Sequence, residues 1–441
     1  MNRITIVIAS LILAVFGAEA KGMLQAEQTG GSEKVILVPP PAGSGLDAIF
    51  VAPRVDGSVH FSVPTGGKAV QWYRFSALGA GYAEEVTAGI SDNGQLSTLT
   101  PAEGDMGYYS DVAGDRSYFW LIDYSRHPYD ITSLNEAPAG EQECGRFTLL
   151  APGTADELTA YTINGRRLTV SREIALTYNT LVWDEESLIY ANTEKTETLT
   201  HISSAIHAEA PLCATIFTLS GDRFLKEWGR GQTVESPTVP PHSVACRTSA
   251  EQAERDADNE VKPPAQGQFG GSAPCEMTFT AAVTDAAIFH EWQISRQSDF
   301  EDIMLHEPDL ELNYTFTEQG TTYVRFYCAN ADASCDAYGD TYEISLGESS
   351  LKCPNAFSPF NEDGNNDIWK VSYSSIISFE CSIFNRRGKL MKSFSDPADG
   401  WDGKFGGKFV PSGVYYYVIK AVGADGRKYN LSGDINIVDY K

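Results

Sequence analysis

From residue 35 to its end the chain is a succession of short runs rich in Val, Ile, Thr, Tyr, Phe and Trp, each closed by Gly, Pro, Asn or Asp. Long apolar stripes with a 3.6-residue period are absent. Runs this short cannot cover a helical face but can cover one face of a strand, so the chain is expected to be all-β. At roughly 150 residues per unit, its 441 residues make about three domains, or four if they are small sandwiches. Lys and Arg number 33 against 59 Asp and Glu, a net charge of −26. Nucleic acids and anionic lipid both demand a basic face, so neither is expected as a partner.

Four units are expected, as tandem immunoglobulin-like β-sandwich domains. A first, over 33–138, holds the strand-like runs Val70–Phe75, Met106–Tyr109 and Ser117–Ile122. A Trp on a central strand followed by a Tyr near the start of a late one resembles an immunoglobulin-like sandwich. A second, over 139–250, spaces Ser171–Leu176, Thr180–Trp183 and Cys213–Leu219 around one Trp. Residues 251–274 then read as a linker, with Glu251, Glu254, Asp256, Asp258 and Glu260 ahead of Pro263, Pro264 and a glycine-rich stretch. A third unit, 275–348, alternates over Met277–Ala281, carries Trp292 on a central run and closes with Tyr323-Val324-Arg325-Phe326. That order resembles the polycystic-kidney-disease (PKD) variant of the immunoglobulin-like fold. The last unit spans 353–441.

Residues 1–20 carry Arg3, an uncharged run from Ile4 to Gly17, and Ala18-Glu19-Ala20 as an A-x-A site, the three parts of a secretory signal peptide. An apolar run of about 14 residues falls short of the ~20 that span a bilayer, so the mature chain is expected to be exported without a transmembrane span. Eight cysteines follow, an even count that favours disulfides in an oxidising compartment. The expected pairings are Cys328 with Cys335, Cys353 with Cys381 and Cys144 with Cys213, with Cys275–Cys328 competing with the first.

The last unit breaks the charge trend, with 11 Lys and Arg against 10 Asp and Glu, so the preceding 352 residues carry −27. It contains Cys353-Pro354-Asn355-Ala356-Phe357-Ser358-Pro359, then Asn361 to Asp367, then Ile383-Phe384-Asn385-Arg386-Arg387-Gly388. Gly400-Trp401-Asp402-Gly403 and Pro411-Ser412-Gly413-Val414-Tyr415-Tyr416-Tyr417 complete the series. Together these residues resemble the gliding-motility-associated C-terminal domain, the type B sorting domain of type IX secretion in Bacteroidetes. The sorting motif maps onto Pro354, Asn355, Phe357, Asn385, Arg386, Gly388, Trp401, Asp402, Gly403, Gly413, Tyr415 and Tyr417. Glu362 stands where the family usually has Gly, and Arg387 where it often has an aromatic residue. The resemblance covers a fifth of the chain and implies a route: export to the periplasm, recognition by the type IX secretion translocon, and delivery to the cell surface or medium.

Chemistry is sparse. G-x-S-x-G and H-E-x-x-H are absent, and Ser349–Lys352 matches S-x-x-K without its S-D-N and K-T-G companions. Glu84-Glu85, Asp184-Glu185-Glu186 and Glu301-Asp302 read as solvated loops. Asn361, Asp363 and Asp367 could converge on Ca²⁺, with Asx-type turn capping as the alternative. No other cofactor is expected. The seven tryptophans read as one core residue per sandwich, with stacking on sugars as the alternative. The expected protein is therefore a non-enzymatic surface or secreted one whose passenger binds or builds, with surface glycans or envelope proteins as candidate partners and adhesion as one role. A periplasmic or envelope structural component and a divergent carbohydrate-active enzyme are the competing readings.

Overall fold

The computed structural model describes residues 24–30, 33–262, 269–360 and 364–438, so the signal-like segment lies outside the described residues. The first unit packs a four-stranded sheet (Gln25–Gln28, Val59–Pro64, Leu96–Leu99, Ile90–Asp92) on a six-stranded one whose centre is Ala48–Ala52, Asp115–Asp123, Met106–Val112 and Val70–Phe75. Trp72 lies buried between them and donates its indole N–H to Ser97 Oγ at 3.0 Å. Tyr108 donates its hydroxyl to the Glu103 carbonyl five residues upstream, at 2.7 Å, and burial pushes that hydroxyl up to about 12.

The six-stranded sheet is covered on both faces. Phe50, Phe119 and Leu121 face the four-stranded sheet, whereas Ile49, Val51, Trp120 and Ile122 belong to a core shared with the second unit. This explains why Ala48–Ala52 is an unbroken apolar run: a strand buried on both faces loses the alternation of a half-exposed one. Across the joint, Trp120 packs on Tyr161 at 5.2 Å. Arg172 and Asp222, both without solvent exposure, pair at 2.7 Å, and Tyr124 donates its hydroxyl to the same carboxylate at 2.8 Å. Nη1 also reaches the Tyr124 hydroxyl oxygen at 3.2 Å, and Nε and Nη2 reach the carbonyls of Asp156 and His127. The pair is therefore buried with every nitrogen of the guanidinium and both carboxylate oxygens hydrogen-bonded, the condition under which a buried charge is tolerated.

In the second unit the long hairpin Ile174–Asp184 and Ile189–Leu199 extends the sheet formed with Thr218–Gly221 and Gln232–Glu235. In the third, Cys246–Gln252, Cys275–Val283 and Glu311–Phe316 face the sheet built on Phe289–Ser295, Gly320–Ala329 and Tyr342–Leu346. Trp292 fills the space between, 4.9 Å from Phe326 and 5.5 Å from Phe279.

Two expectations are corrected. Cys144 is bonded to Cys335, joining the second unit to the third, so the expected Cys144–Cys213 and Cys328–Cys335 pairings are not made. Cys353, Cys381, Cys213, Cys246, Cys275 and Cys328 are unbonded thiols, so Cys353–Cys381 and Cys275–Cys328 are not formed either. The physical reason is that docking of whole units, which local spacing does not encode, brings together residues 191 positions apart. The expected linker also carries structure. Residues up to Gln252 complete the strand paired with Cys275–Val283, and Asp258–Val261 lie as a strap on the terminal unit. Asn259 Nδ2 donates to the carbonyls of Val371 and Pro397, and the Val261 N–H donates to the Tyr373 carbonyl at 2.7 Å. Residues 263–268 of that stretch lie outside the described residues.

Candidate functional site

The terminal unit is one five-stranded sheet in the order Ala356–Phe357, Lys428–Ile437, Gly413–Gly423, Ile376–Asn385, Leu390–Phe394, accompanied by two short antiparallel pairs. Alternation along the central strand sends Tyr415, Ile419 and Ala421 inward, and Val414, Tyr416, Val418 and Lys420 outward. Trp369 and Trp401, both fully buried, exchange backbone hydrogen bonds at 2.9 and 3.0 Å.

The motif residues are fasteners of this core. The Pro354 carbonyl accepts the Trp369 indole N–H at 2.8 Å, and the Asn355 carbonyl accepts from the backbone N–H of Asn436 at 2.9 Å. Phe357 packs on Trp401 at 5.6 Å, and Tyr415 lies 5.1 Å from the same ring while donating its hydroxyl to the Pro411 carbonyl. Asn385 Oδ1 accepts the N–H groups of Arg387 and Lys389, closing the turn through Arg386 and Gly388. Asp402 Oδ1 accepts the Lys404 N–H, beside Gly403, whose φ of +70° and contact with Pro359 leave no room for a side chain. Gly413 opens the central strand at a φ of +145°. Tyr417 stacks near Trp369 and covers Gly433, where a Cβ would lie 2.7 Å from its hydroxyl oxygen. That hydroxyl also hydrogen-bonds with the Cys353 thiol, and burial first, then Cys353, pushes it up to about 12. Burial pushes the Cys381 thiol beneath the same sheet up to about 12.

Phe357, Trp401, Gly403 and Tyr415 of the motif are buried, Asn385 and Tyr417 half-buried, and Pro354, Asn355, Arg386, Gly388, Asp402 and Gly413 exposed in turns and at strand ends, so a partner meets these together with the outer face of the sheet. Val414, Tyr416 and Val418 stand 43, 45 and 45% exposed, and Phe384 and Leu390 continue the apolar stripe across the sheet by cross-strand pairing. At one end the stripe runs into a groove of about 550 Å³ with Arg386, Arg387 and Lys408 among its walls. There Lys389 sits over the Phe405 ring at 4.3 Å and Lys404 over Phe409 at 4.5 Å. An apolar stripe ending in a cationic, aromatic groove suits an acidic protein element with an apolar side. Motif reading missed Tyr416, Val418 and Lys408 as a surface; the signal was the outward half of the alternation.

The remaining candidates are dispersed. Asp367 Oδ2 accepts the Gly364 N–H at 2.7 Å, while Asn361 and Asp363 lie outside the described residues. No cluster of three His, Cys, Asp or Glu that could hold a metal occurs among the described residues. Ser349 holds a seam, donating its hydroxyl to Asp425 Oδ1 at 2.7 Å and sharing a hydrogen bond with Tyr429. Glu84 pairs with Arg74, Asp184 caps the turn at Ser187, and Asp299 caps the N–H of Glu301. Six tryptophans are buried, and Trp183 alone lies partly open, against Tyr190 on the long hairpin.

Fold and surface together define a chain of immunoglobulin-like sandwiches that ends in a compact module presenting a flat outer face. Residues 351–437 match the family described as the CHU_C type IX secretion signal domain, and residues 136–236 match the fibronectin type III domain family. The chain thus carries a type IX secretion signal domain, is exported to the cell surface or extracellular space, and is handled by that secretion system. No curated protein matches it in sequence. Among solved structures it is similar to dimeric latent PorU from Porphyromonas gingivalis at 10% identity, over 75% of this chain and 36% of that one, with a TM-score of 0.15. It is also similar to fibronectin(III)-like modules of Clostridium thermocellum CbhA (9% identity, 43% of this chain, 95% of that one, TM-score 0.18). The three N-terminal domains of the bacteriophage RB49 outer capsid protein Hoc align at 12% identity over 68% of this chain and 96% of that one, with a TM-score of 0.21. The chain thus spans about a third of latent PorU. No described helix is long and apolar enough to cross a membrane, which leaves strands out of account.

Proposed function

We propose that this is a non-enzymatic surface or secreted protein whose first three units bind or build, and that the secretion machinery reads the outer face of its terminal unit. The observation that carries the proposal is the exposed Val414–Tyr416–Val418 stripe running into a cationic groove to which the motif's Arg386 contributes, while the aromatic motif residues Phe357, Trp401 and Tyr415 are spent on the core. A structural or presenting passenger is favoured over a sugar-stacking one by the burial of six of the seven tryptophans. A binding role is supported at the hairpin tip, where Val182, Leu188 and Ile189 are exposed beside Trp183. The third unit's order of a Trp strand and a Tyr-x-Val-x-Phe strand supports a PKD-type domain there.

One experiment compares the full chain, a version ending at Leu351, and a Tyr416→Asp/Lys408→Glu variant by surface protease accessibility in a host with type IX secretion. Only the full chain is expected outside, with both altered forms held in the periplasm. Surface display of the truncated form would overturn sorting by the terminal unit. Surface display of the double variant alone would overturn the outer face as the surface read, leaving sorting itself intact.

A further inference from the structure

Cys246 begins a strand whose alternation places Cys246 and Thr248 on the inward side, with Arg247 and Ser249 exposed. On the opposing sheet, Phe326 and Cys328 share the inward face of their strand, both fully buried. Thr248 and Phe326 both abut Gly339: a Cβ there would lie 2.5 Å from Thr248 Cγ2 and 3.4 Å from Phe326 Cβ. Thr248 Oγ1 also accepts the Asp340 N–H at 3.1 Å and the Tyr342 hydroxyl at 2.9 Å. Cys246, two residues before Thr248, packs on the core that holds Cys328, two residues after Phe326, and the two thiols are hydrogen-bond partners. Both lie beside Tyr190, from the long hairpin of the second unit.

We infer that Cys246 and Cys328 form an inter-sheet disulfide in the exported protein, a second crosslink beside the junction that Cys144–Cys335 already ties. The inference rests on export to an oxidising compartment and not on what the passenger does. The hydrogen bond from Cys328 holds the Cys246 thiol below the usual thiol range, although burial opposes it, and Cys246 is the more exposed of the two. Cys246 therefore supplies the attacking thiolate. It attacks a sulfur of a disulfide-bearing thiol oxidant, forming a mixed disulfide and releasing one oxidant thiolate. Cys328, giving up its proton, then attacks Cys246 Sγ, forming the internal S–S bond and expelling the second oxidant thiolate. Two protons leave the pair, and two electrons reduce the oxidant to a dithiol.

The test is peptide mapping of the exported full chain, alkylated in denaturant without reduction. Trypsin together with cleavage before Asp residues separates Cys246 (231–247), Cys328 (326–331) and Cys335 (332–335). A linked 231–247/326–331 pair is expected. Alkylation of both cysteines, or Cys328 linked to Cys335 or Cys275, would overturn the inference. In a Cys246→Ser chain the denatured, unreduced protein should take up one more alkyl label than the parent. Because the count is made in denaturant it does not depend on the variant's folding, and a count lower by one, the loss of the Cys246 label itself, would also overturn the inference.

Discussion

At the scale of single residues the molecule spends its unusual side chains on joints. Arg172 is the clearest case: a fully buried cation holding Asp222, Tyr124 and two carbonyls where the first two units share a core. Replacing it with Ala leaves Asp222 buried and uncompensated, and the expected loss is about 3–5 kcal/mol of stability, read as a lower denaturant midpoint. Midpoints within about 0.5 kcal/mol of the parent would show that the pair is structurally idle. Much at this scale was legible in the sequence. Trp72 and Trp292 read as core because each sits in an alternating run, and both are. Arg172 was not legible, because a lone basic residue ahead of a strand looks solvated until its covering unit is in place. The motif of the terminal unit could be read residue by residue, but not which of its residues are buried and which presented, since a motif records identity and not direction.

At the scale of elements, the strap over Asp258–Val261 shows how hydrophobic patterning misleads. Its acidic, apolar-poor composition predicts a free linker, yet it docks through backbone pairing with Tyr373 and the two Asn259 hydrogen bonds, which carry no apolar signature. Two carboxylates assist the seams of the terminal unit, Asp258 at the strap and Asp425 at Ser349. Asp258 is held below the ordinary aspartate value of 3.8 by its hydrogen bond with Lys370. For Asp425 burial acts in the opposite sense, but hydrogen bonds from Ser349 and the Arg427 N–H outweigh it and the value again falls. A carboxylate with a depressed folded value contributes fully above its unfolded value and loses that contribution as pH falls through the folded one. Hydrogen-exchange protection of the Val261 and Tyr373 amides should therefore be level above about pH 5 and weaken toward about pH 3, after correction for intrinsic rates. Protection that does not change over that window would show that Asp258 carries nothing at the strap. Both groups are largely exposed, so the effect is a loosening and not unfolding.

At the scale of the whole molecule, tandem sandwiches were legible and their mutual attachment was not. The all-β class follows from local runs, which the sequence displays directly. The shared core of the first two units and the Cys144–Cys335 bond join residues far apart in the chain, and each depends on surfaces that exist only after folding. The seam between third and terminal units is of the same kind: Gln319 donates its N–H to the Ala424 carbonyl, and Ser375 donates its N–H to Ser272 Oγ at 2.8 Å. Such contacts mean that the sorting module is carried clamped to its passenger. Fusing residues 353–441 alone to a foreign cargo should give a less protease-resistant module than fusing 246–441, measured as the rate of tryptic loss of the module; equal rates would show that the seam contributes no protection.

The strap has a consequence for anyone borrowing this module as an export tag. A cut at the family boundary strips Tyr373 of the strand-like neighbour that accepts its N–H and donates to its carbonyl, and leaves a raw sheet margin open to pairing with other copies. The portable cassette is thus longer than the stretch that a motif search returns, and its true upstream margin lies in a segment whose composition advertises nothing.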